Sequence, residues 1–289
     1  MKNVLITGCS SGFGYESAKY LAKKGNHVYA TMRNVKGKNE KSASELKQFA
    51  KDQGVSIDVL EMDVTSDSSV NAAVSQISKV DVLINNAGLG YGGPIESFSS
   101  DEVLAQLDLN IVGTVRTTKA VLPIMRDQKS GLIIQVSSGA GRAAFPGFGI
   151  YHASKWGLEG LSESMRYEFA PFGIDVVIVE PGPFSTNFFG NMVSPKNSEM
   201  ANNYKHVDAF FEGFQNQVTG AFEDSNAPTD PMLVVQSFEK LINLPAGSRP
   251  LRTMVGLDFG LQQLNDAVEP IRKAVLESMG LADSDGPQS

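Results

Sequence analysis

Short β-branched runs and helix-like stretches alternate along residues 3–180, and that rhythm excludes most folds. "NVLIT" (3–7) is apolar throughout, as in a strand buried on both faces, and Ser17 to Lys24 reads as an amphipathic helix ended at Gly25. "HVYATM" (27–32) is a second strand, followed by a polar helical run closing at Gly54. "VSIDVLEMDV" (55–64) and "VDVLIN" (80–85) are the third and fourth strands, separated by a Ser/Asp-rich start suited to a capped helix. A long helix from about Asp101 to Arg126, the strand 131–137, a helix from about Tyr151 to Phe169 and the strand 174–180 continue the period. Right-handed βαβ units of this kind give a parallel sheet covered on both faces. The expectation is an α/β chain over 1–281 forming one doubly wound (Rossmann) domain, with a mostly parallel seven-stranded sheet and helices on both faces. Residues 183–229, rich in aromatics and polar spacers but weakly periodic, form a substrate-loop insertion, and 282–289 a flexible tail.

Composition narrows the function classes. The net charge of -7 argues against nucleic-acid or anionic-lipid partners, while leaving room for a locally basic pocket. The single cysteine, Cys9, excludes an intrachain disulfide and a cysteine-built zinc site. His27, His152 and His206 stand too far apart for metal-ligand spacing, so no metal is expected. The opening "MKNVLITG" is too short an apolar run for a signal peptide, and no stretch approaches the ~20 apolar residues of a membrane span. A cytoplasmic protein without a membrane partner is expected.

Chemistry concentrates in two short stretches. "TGCSSGFG" (7–14) follows the first strand and opens the first helix. Gly8, Gly12 and Gly14 allow a tight turn and close approach of the backbone to a pyrophosphate, with Ser10, Ser11 and Phe13 between them. The free N–H groups of the helix N-terminus favour an anion there. In "YHASK" (151–155), Tyr151 and Lys155 stand four apart, on one helix face. A phenol titrates near pKa ~10, and a nearby ammonium or an oxidised nicotinamide ring depresses that value. Tyr151 can then protonate a carbonyl oxygen or deprotonate an alcohol. Read alone, the pair is equally an ordinary helix-surface contact. His152 adjoins the tyrosine but does not face the same way, which suits a structural or loop-contacting role, and Cys9 reads as a small packing residue.

The spacing TGxxxGxG, rather than GxGxxG, resembles the short-chain dehydrogenase/reductase family, whose further marks follow in order. They are "NNAG" (85–88), Asn110 in the long helix, Ser138 thirteen residues before Tyr151, YxxxK, and "PGPFST" (181–186). Together they cover residues 3 to about 190. "VYATMRN", "NIVGTVR" and "ASKWGLEGLSESMRYEFAPFGIDV" resemble its 17β-hydroxysteroid and retinol dehydrogenase branch. The resemblance implies Asn110, Ser138, Tyr151 and Lys155 as the catalytic set. Ser138 would hold the reacting oxygen, Lys155 the nicotinamide ribose, and Asn110 a water linking the lysine to solvent. It also implies that Asp63, Val64, Asn86, Ala87, Gly88, Pro181, Gly182 and Thr186 contact the cofactor, with Asp63 at the adenine amino group. Pairing through helices 101–126 and 151–170 would give a homodimer or homotetramer.

The second strand ends Ala30-Thr31-Met32-Arg33-Asn34, without the carboxylate that selects NAD. Arg33 offers a planar donor fork suited to a 2′-phosphate, so NADP(H) is expected over NAD(H). Phe145, Phe148, Phe184, Phe188, Phe189, Tyr204, Phe210, Phe211 and Phe214 could line an apolar pocket for a lipophilic carbonyl or alcohol substrate. Several of them could equally be core for lid helices. The function expected is hydride transfer between NADP(H) and a ketone, aldehyde or secondary alcohol. The alternative is a dinucleotide-binding regulator without turnover.

Overall fold

The computed structural model describes residues 1–288. Seven parallel strands form one sheet: β1 (Asn3–Ile6), β2 (His27–Met32), β3 (Ile57–Glu61), β4 (Val82–Asn85), β5 (Gly131–Val136), β6 (Ile174–Pro181) and β7 (Arg252–Val255). Their spatial order is β3-β2-β1-β4-β5-β6-β7. Leu5 of β1 lies level with Tyr29 on one side and Leu83 on the other. The strand order reverses between β1 and β4, which opens a crevice at the strands' C-terminal ends, where ligands bind in open α/β sheets.

Helices fill both faces. They are α1 (Gly12–Lys23), α2 (Glu40–Gln53), α3 (Asp67–Val74), α4 (Ser100–Leu107), α5 (Gly113–Gln128), α6 (Gly149–Phe169), α7 (Ser198–Ala201), α8 (Lys205–Glu223), α9 (Met232–Asn243) and α10 (Leu261–Ser278). One core sets Val4, Ile6 and Val28 of the sheet against Leu21 of α1, Leu46 of α2 and Phe238 of α9. The other sets Leu5, Leu83 and Ile133 against Val70, Val121 and Met165 of α3, α5 and α6. Strands sandwiched in this way must be apolar on both faces, and every residue of β6 is buried. The buried Asp175 of β6 is no exception, since Arg166 and Arg249 pair with it at 2.8 and 3.0 Å.

Two expectations need correction. The third strand covers only Ile57–Glu61, because the flanking residues of 55–64 pass into turns. The long helix of 101–126 is two α-helices joined by a π-turn at Asp108–Val112. Within the run expected as a flexible tail, Asp285 accepts from Arg166 Nε and Arg272 Nη2, each at 2.7 Å. Ser289, the last residue of that expected tail, lies outside the described residues. The insertion of 183–229 contains α8, a 19-residue helix. Among the described residues no helix is long and apolar enough to cross a membrane, and no cluster of metal-ligating side chains occurs.

Candidate active site

A cleft of about 720 Å³ runs along the C-terminal ends of the strands, from the loops after β2 and β3 to the aromatic residues of the insertion. Gly8, Ser10, Ser11, Gly12 and Phe13 line its middle. Gly8 and Gly12 have φ of 74° and 58°, a left-handed backbone that a side chain would strain. A Cβ on Gly12 would meet nothing within 4 Å, so the wall there is bare backbone. Ser11, the N-cap of α1, makes no side-chain cap and no acidic residue stands in the first turn. The cradle therefore fits a pyrophosphate, since it has free N–H groups, room, and no competing carboxylate.

Gly14 is not on the cleft. A Cβ there would stand 2.5 Å from Gly8 O and 2.6 Å from Asn86 Nδ2, so its role is close packing behind the turn. Thr7, not singled out from sequence, sutures this turn to the β4 loop. Its Oγ1 accepts from Asn86 N and Ala87 N, each at 3.0 Å, while Asn86 Nδ2 returns a bond to Thr7 O at 2.9 Å. Asn86, Ala87 and Gly88 thereby form the cleft's opposite edge. Cys9 is buried inside the turn, and burial pushes its thiol up to about 12, which leaves it inert packing.

One end of the cleft is lined by Arg33, Asp63 and Val64, joined by Lys38 and Asn39. The loop is folded back by Asn39 Nδ2 donating to Arg33 O at 2.6 Å. Arg33 makes no ion pair among the described residues and Lys38 gives a second cation, which reading the end of β2 alone overlooked. Burial favours the neutral form of Asp63, but bonds from Thr65 and the charges of Arg33 and Arg116 outweigh it and hold the carboxyl below its usual range.

At the other end stand Ser138, Tyr151 and Lys155. The 138–148 segment leaves β5 with Ser138 extended as a cap, its Oγ accepting from Ala140 N at 3.1 Å and donating to Pro181 O at 3.4 Å. The first turns of α6 carry Tyr151 and Lys155, whose Nζ lies 5.8 Å from the tyrosine ring centre and donates to Val136 O at 2.8 Å. Burial pushes the Tyr151 hydroxyl up to about 12, opposed only by Ser138, and brings Lys155 down to about 8, opposed by the Glu159 charge. The expected depression of the tyrosine is thus not what the polypeptide alone supplies, because burial outweighs the Ser138 hydrogen bond. Phe188 covers the tyrosine with ring centres 5.4 Å apart.

Asn110 does not line the cleft either. It sits in the π-turn behind Gly88, accepting from Leu89 N at 3.2 Å and donating to Leu89 O and Ser154 Oγ at 3.0 Å. A Cβ on Gly88 would come within 3.3 Å of Asn110 Oδ1 and 3.8 Å of Lys155 Nζ, so this glycine keeps the asparagine and lysine open to each other. Pro181, Gly182 and Thr186 line the floor beyond β6. Of the nine aromatics, Phe145, Phe148, Phe184, Phe188, Phe189 and Phe214 line the cleft. Phe211 stacks behind Phe148 at 4.8 Å, Phe210 behind Phe214 at 6.3 Å, and Tyr204 donates to Glu96 instead. Leu257, Phe259 and Leu261 complete the wall from the segment after β7.

The family model for the short chain dehydrogenases matches residues 2–197, and the chain belongs to that family of oxidoreductases, which bind a nicotinamide cofactor. Within it the sequence stands near the 17β-hydroxysteroid and retinol dehydrogenase branch. It is 42% identical over 192 residues to a 3-ketodihydrosphingosine reductase of Bacteroides thetaiotaomicron, covering 65% of this chain and 66% of that protein. It is also 42% identical over 192 residues to the human 17-beta-hydroxysteroid dehydrogenase type 1, covering 64% of this chain and 57% of that protein. The match thus spans less than two thirds of either relative. A short-chain dehydrogenase from Streptomyces avermitilis shares the fold over 97% of this chain and 98% of its own, with 30% identity and a TM-score of 0.73.

Proposed function

We propose that the protein transfers hydride between NADP(H) and a lipophilic ketone, aldehyde or secondary alcohol, with Tyr151 as general acid and base. The observation that carries this reading is the convergence of Ser138, Tyr151 and Lys155 at one end of a cleft whose other end holds Arg33 and Lys38. Gly8, Ser10, Ser11, Gly12, Phe13, Asn86, Ala87 and Gly88 would hold the pyrophosphate and its flanking riboses. Asp63 and Val64 would meet the adenine, and Pro181, Gly182 and Thr186 the nicotinamide. The bound cofactor supplies or takes the hydride.

In reduction, Ser138 Oγ donates a hydrogen bond to the substrate carbonyl and Tyr151 delivers the proton to the same oxygen. A hydroxyl held up at about 12 keeps its proton at neutral pH until the substrate oxygen gains negative charge. Lys155, protonated below about pH 8, stabilises the phenolate left behind, and Asn110 holds the route by which the proton is restored. In oxidation the same groups work in reverse. The aromatic wall excludes water and favours an apolar substrate, in line with the names of the relatives, one a ketosphingoid reductase and one a steroid dehydrogenase. The reading includes a cytoplasmic homodimer or homotetramer.

Cofactor titration tests the preference. Arg33→Ala removes one charge-assisted contact with a 2′-phosphate and should weaken NADPH by about tenfold or more, leaving NADH within about twofold. Equal wild-type affinity for the two cofactors, or no loss in the variant, would overturn the NADP(H) assignment. Tight cofactor binding without turnover on a broad carbonyl panel would favour a regulator instead.

A further inference from the structure

His152 follows Tyr151 and lines the same cleft, and both of its ring nitrogens are engaged. Phe145 N–H donates to Nε2 at 2.9 Å, so Nε2 carries the lone pair and the proton sits on Nδ1. Nδ1 in turn lies 2.8 Å from Ala140 O and donates to it. Both partners belong to one segment, the 138–148 stretch between β5 and α6, which has little regular structure of its own. The ring is buried and also meets Phe145 and Phe148 edge-on, with centres 5.6 and 6.0 Å away. Burial favours the neutral ring, the only form that can accept from Phe145.

The two clamped residues sit at different parts of the site. Ala140 is the residue whose N–H donates to Ser138 Oγ, so its peptide sets where that hydroxyl points. Phe145 lies on the aromatic wall, stacked on Phe210 and Phe214 at 6.3 and 6.4 Å. We propose that His152 is a positioning residue, a two-point clamp that holds the serine turn and the aromatic wall in register with Tyr151. It fixes at once the hydroxyl that meets the substrate oxygen and the surface that meets the substrate body. A ring with one donor and one acceptor at opposite corners spans these two backbone groups, whereas an aliphatic or phenyl side chain leaves both unpaired.

The proposal rests on the carbonyl-reductase reading, and its test separates the two. His152→Phe keeps the ring's bulk and removes both bonds, while His152→Gln keeps one donor and one acceptor. With rates normalised to NADPH-binding sites, His152→Phe should lower kcat about tenfold or more and also raise KM for a bulky ketone, since small misplacements near the chemistry cost this much. NADPH affinity, set mainly by the distant cradle and Arg33, should change by less than about threefold. His152→Gln should recover part of both losses. Two-bond ¹⁵N–¹H spectra of the wild type should show a neutral ring protonated on Nδ1 at neutral pH. Wild-type kcat and KM in His152→Phe, no recovery in His152→Gln, or a proton on Nε2 would each overturn the clamp. A wild type that turns over no carbonyl compound would sink the functional reading alone, with the tautomer spectrum still deciding the clamp.

Discussion

Glu180 is the penultimate residue of β6 and fully buried, just before Pro181 and Gly182 of the cleft floor. Asn265 Nδ2 donates to its Oε2 at 2.5 Å, and Arg252 and Arg142 approach its Oε1 at 3.4 and 3.8 Å. Arg252 also pairs with Glu159 at 2.8 Å and with Glu163, so three carboxylates face two guanidinium groups. Oε1 of Glu159 and of Glu180 finds no hydrogen-bond partner among the described residues. Burial, reinforced by the Glu159 charge, pushes Glu180 up to about 8 from the ordinary 4.5. Between these values the native state binds more protons than the unfolded chain. The stability this proton contributes is complete below about pH 4.5 and is lost as the pH rises through about 8. At about 1.4 kcal/mol per pH unit, and with the proton belonging to the Glu159–Glu180 pair, the loss is on the order of 4 kcal/mol. Glu180→Gln removes one carboxyl of the pair, and with it the mutual repulsion, while keeping an acceptor for Asn265. Urea unfolding from about pH 5 to about pH 9 should show the wild type losing on the order of 4 kcal/mol relative to the variant. Parallel stability curves would refute the reasoning.

Other perturbations follow from single contacts. Thr7→Val keeps the shape of the side chain but deprives Ala87 N of its acceptor, at about 1–3 kcal/mol, and Asn86 N of one of two, since Asn86 N also donates to Ile84 O. Urea unfolding should show a loss of about 1–3 kcal/mol, with weaker NADPH binding, and an unchanged midpoint would contradict the suture. Asp285→Ala should cost about 1–3 kcal/mol in the same assay, because it leaves Arg166 and Arg272 without one carboxylate each. A loss under about 0.5 kcal/mol would mean that the C-terminal run adds nothing to the fold.

Much of the fold is legible in the sequence because a parallel sheet buried on both faces demands apolar runs. "NVLIT", "VDVLIN" and "IDVVIVE" announce β1, β4 and β6 for that reason. β7 is only four residues, all half-buried, and its "RTMV" carries no such run. The π-turn at Asp108–Val112 is a slip in backbone hydrogen bonding that the side-chain period does not encode. In α8 the phenylalanines split between the cleft wall and the layer behind it, which blurs the periodicity of 183–229.

The site divides the same way. Gly8 to Phe13, Asn86 to Gly88 and Tyr151 to Lys155 are contiguous stretches whose chemistry can be read locally. What sequence could not supply are contacts across long separations: Thr7 on Asn86, Lys38 beside Arg33, and Leu257, Phe259 and Leu261 closing the wall. Gly14 and Asn110, expected at the cofactor and the reaction, stand behind the cleft wall, and the packing that puts them there is not written in either motif. The tyrosine's acidity was argued from its lysine neighbour, whereas burial, which no motif states, decides it in the polypeptide alone.

The most direct test of the account is turnover by Tyr151→Phe, measured as NADPH consumption against a panel of lipophilic ketones. With the phenolic proton gone and the ring retained, kcat should fall by about 10²-fold or more while NADPH affinity stays within about threefold of wild type. Turnover near the wild-type rate would contradict the assignment of Tyr151 as the proton donor, and with it the mechanism built on this cleft.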